Sequence, residues 1–218
     1  MSEPFTIYFA GDLFDHKHLI GNAVLADFIE RLSNGRYDCQ VPQNFEMISS
    51  RGVDVRNIDL KAVMACDLGI FNFDGPDLDS GTVVEFMFAK MLDIPAVILR
   101  TDLRSSGDGE REDWNLMATH YPRTNNVKIR ALAWYREAQN QTDSLTELTD
   151  LFYTRIANDV IAALDDVRQQ PPLAKPAPIT LEAIYEWAAQ FPASGFPELC
   201  GPDFAKSTLA RKRAKGLI

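Results

Sequence analysis

The chain predicts an α/β fold: a doubly wound parallel sheet of about five strands flanked by helices, with a proline-linked C-terminal extension. Three observations carry this. Short apolar runs alternate with segments of helical period, the pattern of strand–helix–strand units. Gly11 and Asn34-Gly35 stand where a strand and a helix must end. Four prolines fall within Gln169–Pro178, which excludes that stretch from helix or central strand.

The elements follow in order. FTIYFAG (Phe5–Gly11) predicts a first buried strand closed by a glycine turn. His18–Leu32 repeats Leu19, Ala23, Ala26 and Ile29 at helical spacing. Tyr37–Val41 is a short strand stopped by Pro42, Asn57–Ala65 a helix, and Asp67–Phe73 the central strand. Thr82–Leu92 places Val84, Met87, Phe88 and Met91 on one helical face. Ala96–Leu99 and Val127–Trp134 are the remaining strands, and Leu145–Val167 a long closing helix. The polar segment Thr101–Asp113 predicts a mobile loop of the kind that covers a site at a sheet's carboxyl end. These spans divide the chain into a domain at 1–168, a stiff linker at 169–178 and an extension at 179–218, with one short helix (Leu181–Gln190) and a loop-rich end.

With 46% hydrophobic residues in 218, the chain can bury one ordinary core. No apolar run approaches the roughly 20 residues that span a bilayer, so no membrane partner is expected. The start MSEPFTIYFAG lacks a basic segment ahead of an apolar one and is not expected to be a signal peptide. Cys39, Cys66 and Cys200 share no disulfide or metal spacing, which suits a cytoplasmic protein. A net charge of −9 argues against binding a nucleic-acid polymer. The last fifteen residues carry five cations and no acid, expected as a solvated, frayed tail.

DGPDLDSGTVVEF puts Asp74, Asp77, Asp79 and Glu85 between a strand and a helix. In open α/β sheets the ligand crevice lies there. With a helix starting near Thr82, Glu85 falls in its first turn, where unpaired N–H groups and the helix dipole favour the ionised form. An ionised carboxylate in a partly dry crevice is a nucleophile for a sugar carbon that develops positive charge. The same spacing fits a capping box, Thr82 with Glu85, and Asp77 and Asp79 also suit turns. Spacing leaves both readings open.

The stretch resembles the nucleoside 2-deoxyribosyltransferase family, whose motif runs Asp, Gly, nucleophilic Glu, here Asp79, Gly81 and Glu85. Three more pieces match in order. IYFAGDLFD is similar to the family's first strand and turn, with Tyr8 in the position of its active-site tyrosine. IDLKAVMACD is similar to the segment whose Asp contacts the nucleobase, here Asp59, eight residues before Asp67. WNLM matches an element that enters a neighbouring subunit's site, placing Asn115 and Met117 there. Together these pieces cover roughly residues 5–120.

The resemblance implies a flavodoxin-like fold and a cytoplasmic homo-oligomeric transferase acting on deoxynucleosides and free nucleobases. Its implied catalytic residues are Glu85 as nucleophile, Asp79 on the sugar hydroxyls, Asp59 on the base and Tyr8 positioning Glu85. Gly11, Phe14, Asn115 and Met117 are implied in substrate binding. No metal or organic cofactor is required. The alternatives are an N-glycoside hydrolase of deoxynucleosides or deoxynucleotides, and a non-catalytic nucleoside sensor. Asp79 favours nucleosides, because a carboxylate repels a 5′-phosphate. The family's compact members end near the proline-rich linker, and in some the terminal carboxylate enters the site; the residues beyond 178 exclude that arrangement here. His16, His18 and His120 are expected as loop histidines rather than metal ligands, and Trp134, Tyr135, Phe152 and Tyr153 as core rather than pocket.

Overall fold

The computed structural model describes residues 3–45, 51–102, 115–174 and 178–218. In chain order it contains β1 (Phe5–Gly11), α1 (His16–Leu32), β2 (Tyr37–Gln40), α2 (Gly52–Ala65), β3 (Leu68–Asn72) and α3 (Ser80–Met91). β4 (Ala96–Arg100), β5 (Thr124–Lys128), α4 (Ala131–Gln139) and α5 (Leu145–Val167) complete the sheet and its layers. The extension adds α6 (Leu181–Ala188), α7 (Phe196–Cys200) and α8 (Phe204–Ala214). The strands form one parallel sheet ordered β2-β1-β3-β4-β5. That is the doubly wound, flavodoxin-like order, and its switch point lies between β1 and β3. There Gly11 pairs with Asn72. A Cβ on Gly11 would come within 3.1 Å of the Asn72 Cβ, so any other residue there would push the neighbouring strand's side chain aside by a few tenths of an ångström.

Alternation along the strands divides the core. Ile7, Phe9, Leu68, Ile70, Val97 and Leu99 pack under α1 and α5. Tyr8, Ala10, Phe71 and Ile98 face the other way, under α2, α3 and the extension. α1 starts where Asp15 accepts hydrogen bonds from the Lys17 and His18 amides, and α5 where Ser144 caps Glu147. Trp134, Phe152 and Tyr153 pack against the α1/α5 layer as expected, but Tyr135, expected with them in the core, is 41% exposed.

Three expectations are corrected. Val127–Trp134 is not one strand: β5 ends at Lys128 and Trp134 belongs to α4. β5 is an edge strand whose Asn125 and Asn126 are half-exposed, so its polar sequence hides a real ladder with β4. Val84, Met87 and Met91 do not point to the core; α3 buries Thr82, Phe86, Phe88 and Ala89 instead. The cationic tail is not a frayed end. Residues 204–214 form α8, Lys212 is buried, and Arg211 and Lys215 both bond the fully buried Asp67. An acid buried at the amino end of a strand needs cations, and the tail supplies them. Beyond α8, the Leu217 carbonyl accepts from Arg123 at 2.8 Å, and Arg123 pairs with Asp93 at 3.3 Å. The chain's last residues thus lie at the strand amino ends, far from the switch-point crevice.

α2 begins at Gly52, five residues before the expected start. The expected loop at 101–113 and Trp114 fall almost wholly outside the described residues, as do 175–177 of the linker. Among the described residues no helix is long and apolar enough to cross a membrane.

Candidate active site

Tyr8 leaves the middle of β1 on the α2/α3 side and is 1% exposed. Its hydroxyl donates to Glu85 Oε1 at 2.7 Å. Strand alternation aims the phenol, and the fixed pairing of Tyr8 with Gly69 sets its height in the sheet. Glu85 comes from α3, which begins earlier than the sequence suggests. Asp79 is its N-cap, and Asp79 Oδ2 accepts from the Thr82 amide at 2.7 Å and the Thr82 hydroxyl at 2.8 Å.

Glu85 is therefore the sixth helical residue, in the second turn. The capping box of Thr82 and Glu85 does not form, because Asp79 already satisfies the Thr82 amide. The expectation that Glu85 is held ionised by the helix start is corrected as well. The dipole falls off within the first turn. Desolvation dominates and lifts the Glu85 pKa to about 7, with the charges of Asp59 and Asp79 adding to the rise and only the Tyr8 hydrogen bond opposing it. Burial likewise lifts Asp59 to about 6, and it raises the Tyr8 phenol well above its ordinary range, with the Glu85 and Asp59 charges adding to it. The mutual influence of these groups places Tyr8, Asp59, Asp79 and Glu85 in one electrostatic neighbourhood.

Beside them lies a largely apolar cavity of about 270 Å³ lined by Leu13, Leu19, Pro42, Gln43, Phe45, Val55, Ile58 and Asp59. Asp59 is the acid in that lining. Gln43 donates its amide to the Leu19 carbonyl at 2.6 Å, which leaves its side-chain oxygen as an acceptor beside the cavity. The Phe45 ring sits 6.3 Å from that of Tyr8, so the cavity wall adjoins the tyrosine that donates to Glu85. A flat heterocycle with polar edges fits such a slot: apolar walls for the ring faces, Asp59 and Gln43 for the edges.

Of the other residues singled out from sequence, Gly11 ends β1 at the switch point. Phe14 is 79% exposed beside the Asp12 turn that accepts its amide, and its neighbour Leu13 lines the cavity instead. Asn115 Oδ1 accepts from the Met117 and Ala118 amides, and the Met117 side chain is 80% exposed. Asp74 bonds the Thr101 and Asp102 amides, tying the loop before α3 to the end of β4. His18 pairs with Asp15 at the start of α1. Among the described residues no cluster of three or more metal-ligating side chains occurs. Pro42, Gln43 and Phe45 were not found from sequence; the proline that ends β2 at the sheet's carboxyl edge was the available signal.

A family model described as nucleoside 2-deoxyribosyltransferase matches residues 7–117. No curated protein matches the chain. Among solved structures, a conserved protein from Enterococcus faecalis V583 is 22% identical, with a TM-score of 0.47, and the match covers 75% of this chain and 98% of that one. A 2-desoxiribosyltransferase from Leishmania mexicana is 24% identical with a TM-score of 0.41, over 54% and 87% of the two chains. The CMP N-glycosidase BcmB of Clostridium botulinum is 14% identical with a TM-score of 0.41, over 63% and 99%. These likenesses are too distant to bear on the chemistry.

Proposed function

The chain belongs to the nucleoside 2-deoxyribosyltransferase family, glycosyl-transferring enzymes that act on nucleosides and nucleobases, and from that premise we propose that it moves 2-deoxyribose between nucleobases through a covalent deoxyribosyl–Glu85 intermediate. The observation that carries this reading is the buried Tyr8–Glu85 hydrogen bond of 2.7 Å, beside a slot that ends in Asp59. A carboxylate oriented by a phenol, at the switch point of the sheet, next to a cavity of base size, is arranged for attack on a sugar carbon rather than for capping a helix.

In the first half-reaction Glu85 bonds to the anomeric carbon as the carbon–nitrogen bond to the base breaks, through an oxocarbenium-like transition state. The departing base takes the bond's electron pair, and Asp59 relays a proton to its ring nitrogen. The acceptor base then attacks from the same side and releases Glu85, with Asp59 taking the acceptor's proton. Two inversions retain configuration. Tyr8 holds one Glu85 oxygen and aims the other. Asp79 spends Oδ2 on the helix cap, and its other oxygen serves the sugar hydroxyls. Gly11 lets the sugar lie against the strand ends, Phe14 stands at the rim, and Asn115 and Met117 complete the site of a neighbouring copy. The acid pair Asp79 and Glu85 disfavours a 5′-phosphate, so nucleosides are the substrates.

The test incubates one deoxynucleoside donor with a panel of free bases and follows intact protein mass. A sugar adduct that depends on Glu85, together with new nucleosides formed from the added bases, is expected. Free deoxyribose released at a rate indifferent to acceptor would replace transfer by hydrolysis. Faster turnover of the 5′-monophosphate than of the nucleoside would overturn the substrate assignment.

A further inference from the structure

The helix that carries Asp59 faces a design conflict. Val55, Ile58 and Asp59 lie on one stripe of α2 and line the cavity, so nothing can fill that side without blocking a ligand. Its N-cap, Arg51, makes no side-chain cap hydrogen bond. α2 must be held from its other face, and there it meets the C-terminal extension.

The grip is polar as well as apolar. Arg56 donates to the Pro192 carbonyl at 2.9 Å, the buried Asn57 amide to the Ser194 carbonyl at 3.0 Å, and Lys61 to the Leu199 carbonyl at 2.7 Å. The accepting turn is unusual: Ala193, Ser194 and Gly195 are all left-handed, with φ of 52°, 52° and 87°. Left-handed backbone is unfavourable for the two non-glycine residues, and the donors on α2 offset that cost. At the other end of α2, Arg211 of α8 bonds the Ala65 carbonyl and reaches Asp67. Between these ends Leu60, Val63 and Met64 share a core with Tyr185, Phe196 and Leu209.

We propose that the extension is a splint for α2, and that Arg56, Asn57 and Lys61 are positioning residues which set how Asp59 meets the nucleobase. The proposal rests on the assignment of Asp59 to the base. It gives residues 179–218 a role in catalysis without any of them touching substrate.

The experiment uses the full-length chain with Lys61→Met, which keeps the side-chain stem and removes one donor, and Asn57→Ala. Glu182→Gln is the control, since it breaks the contact of Arg213 with Glu182 and leaves α2 alone. Hydrogen exchange of residues 52–65 and steady-state kinetics with varied acceptor base are measured on each. In the two α2 variants, α2 amides are expected to exchange about tenfold faster, the effect of one lost hydrogen bond, with α5 unchanged. The KM for the acceptor base should rise several-fold while kcat changes less, and Glu182→Gln should match the parent. Unchanged exchange, or faster exchange with an unmoved base KM, overturns the splint. Asp59→Asn separates the causes: if it too leaves the base KM unmoved, the premise about Asp59 has failed, and if it alone moves the KM, the splint has failed by itself.

Discussion

At the carboxyl ends of the strands Glu85, Asp59 and Asp79 stand close together, and among the described residues none of them has a salt-bridged cation. At the amino ends Asp67, 0% exposed, receives Arg211, Lys215 at 2.6 Å, and the Thr6 amide at 3.0 Å. Asp93, just before β4, pairs with the buried Arg123. The two regions bury the same chemical group and reach opposite results. Burial lifts Glu85 to about 7 and Asp59 to about 6. Burial also pushes on Asp67, but hydrogen bonds from Lys215 and Thr6 and the Arg211 charge turn the balance and lower it. An acid with its cation is a fastener, whereas an acid left without one keeps unspent free energy for chemistry.

The sharpest way to break this contrast is Glu85→Gln. Deoxyribosyl transfer should fall by roughly 10³-fold or more, since the proposed nucleophile is gone, as read by product chromatography. The fold should gain. A carboxyl raised from 4.5 to about 7 in the folded state is bound to its proton more tightly there than in the unfolded chain, so stability is lost as pH rises between those values. Above about pH 7 the full penalty, about 3 kcal/mol, is present. Denaturant melts should therefore find the variant more stable than the parent at pH 8 and equal to it near pH 4. Asp67 has the opposite slope: its folded pKa is lowered, so its contribution is present above 3.8 and lost as pH falls through the folded value. Asp67→Ala should cost about 3 kcal/mol at pH 7, because Lys215 and Arg211 keep their charges and lose their partner.

The contrast was half legible in the sequence. Tyr8, Asp59, Asp79 and Glu85 were singled out because their segments resemble the family's motifs, spacing alone leaving Glu85 between nucleophile and cap, whereas the order of strands and helices follows from periodicity. The charge state of Glu85 could not be found. It depends on how deeply the second turn of α3 is buried, and spacing placed Glu85 one turn too early because Asp79 was not recognised as the cap. The fastener end was invisible for another reason. α8 is rich in cations and poor in leucine, and its buried face includes Lys212, so its period does not look amphipathic. Its partners, Asp67 and Ala65, lie over 140 residues away in sequence. β5 was mis-set because edge strands tolerate asparagine.

Two smaller effects sharpen the comparison at the carboxyl end of the strands. Tyr8→Phe removes the one hydrogen bond that opposes the rise of Glu85. Transfer should drop roughly 10- to 100-fold, the worth of a hydrogen bond to a charged group, and the rising limb of the pH–rate profile should move to the alkaline side of 7. Asp59→Asn acts in the other direction. It deletes a negative charge that raises Glu85, so the same limb should move to the acid side even though proton delivery to the base is impaired. Because the two acids interact, each limb belongs to the pair, and the opposed displacements are the informative result. If both substitutions shifted the limb the same way, the group titrating would not be Glu85. The absence of a cation would then have to be explained without a nucleophile.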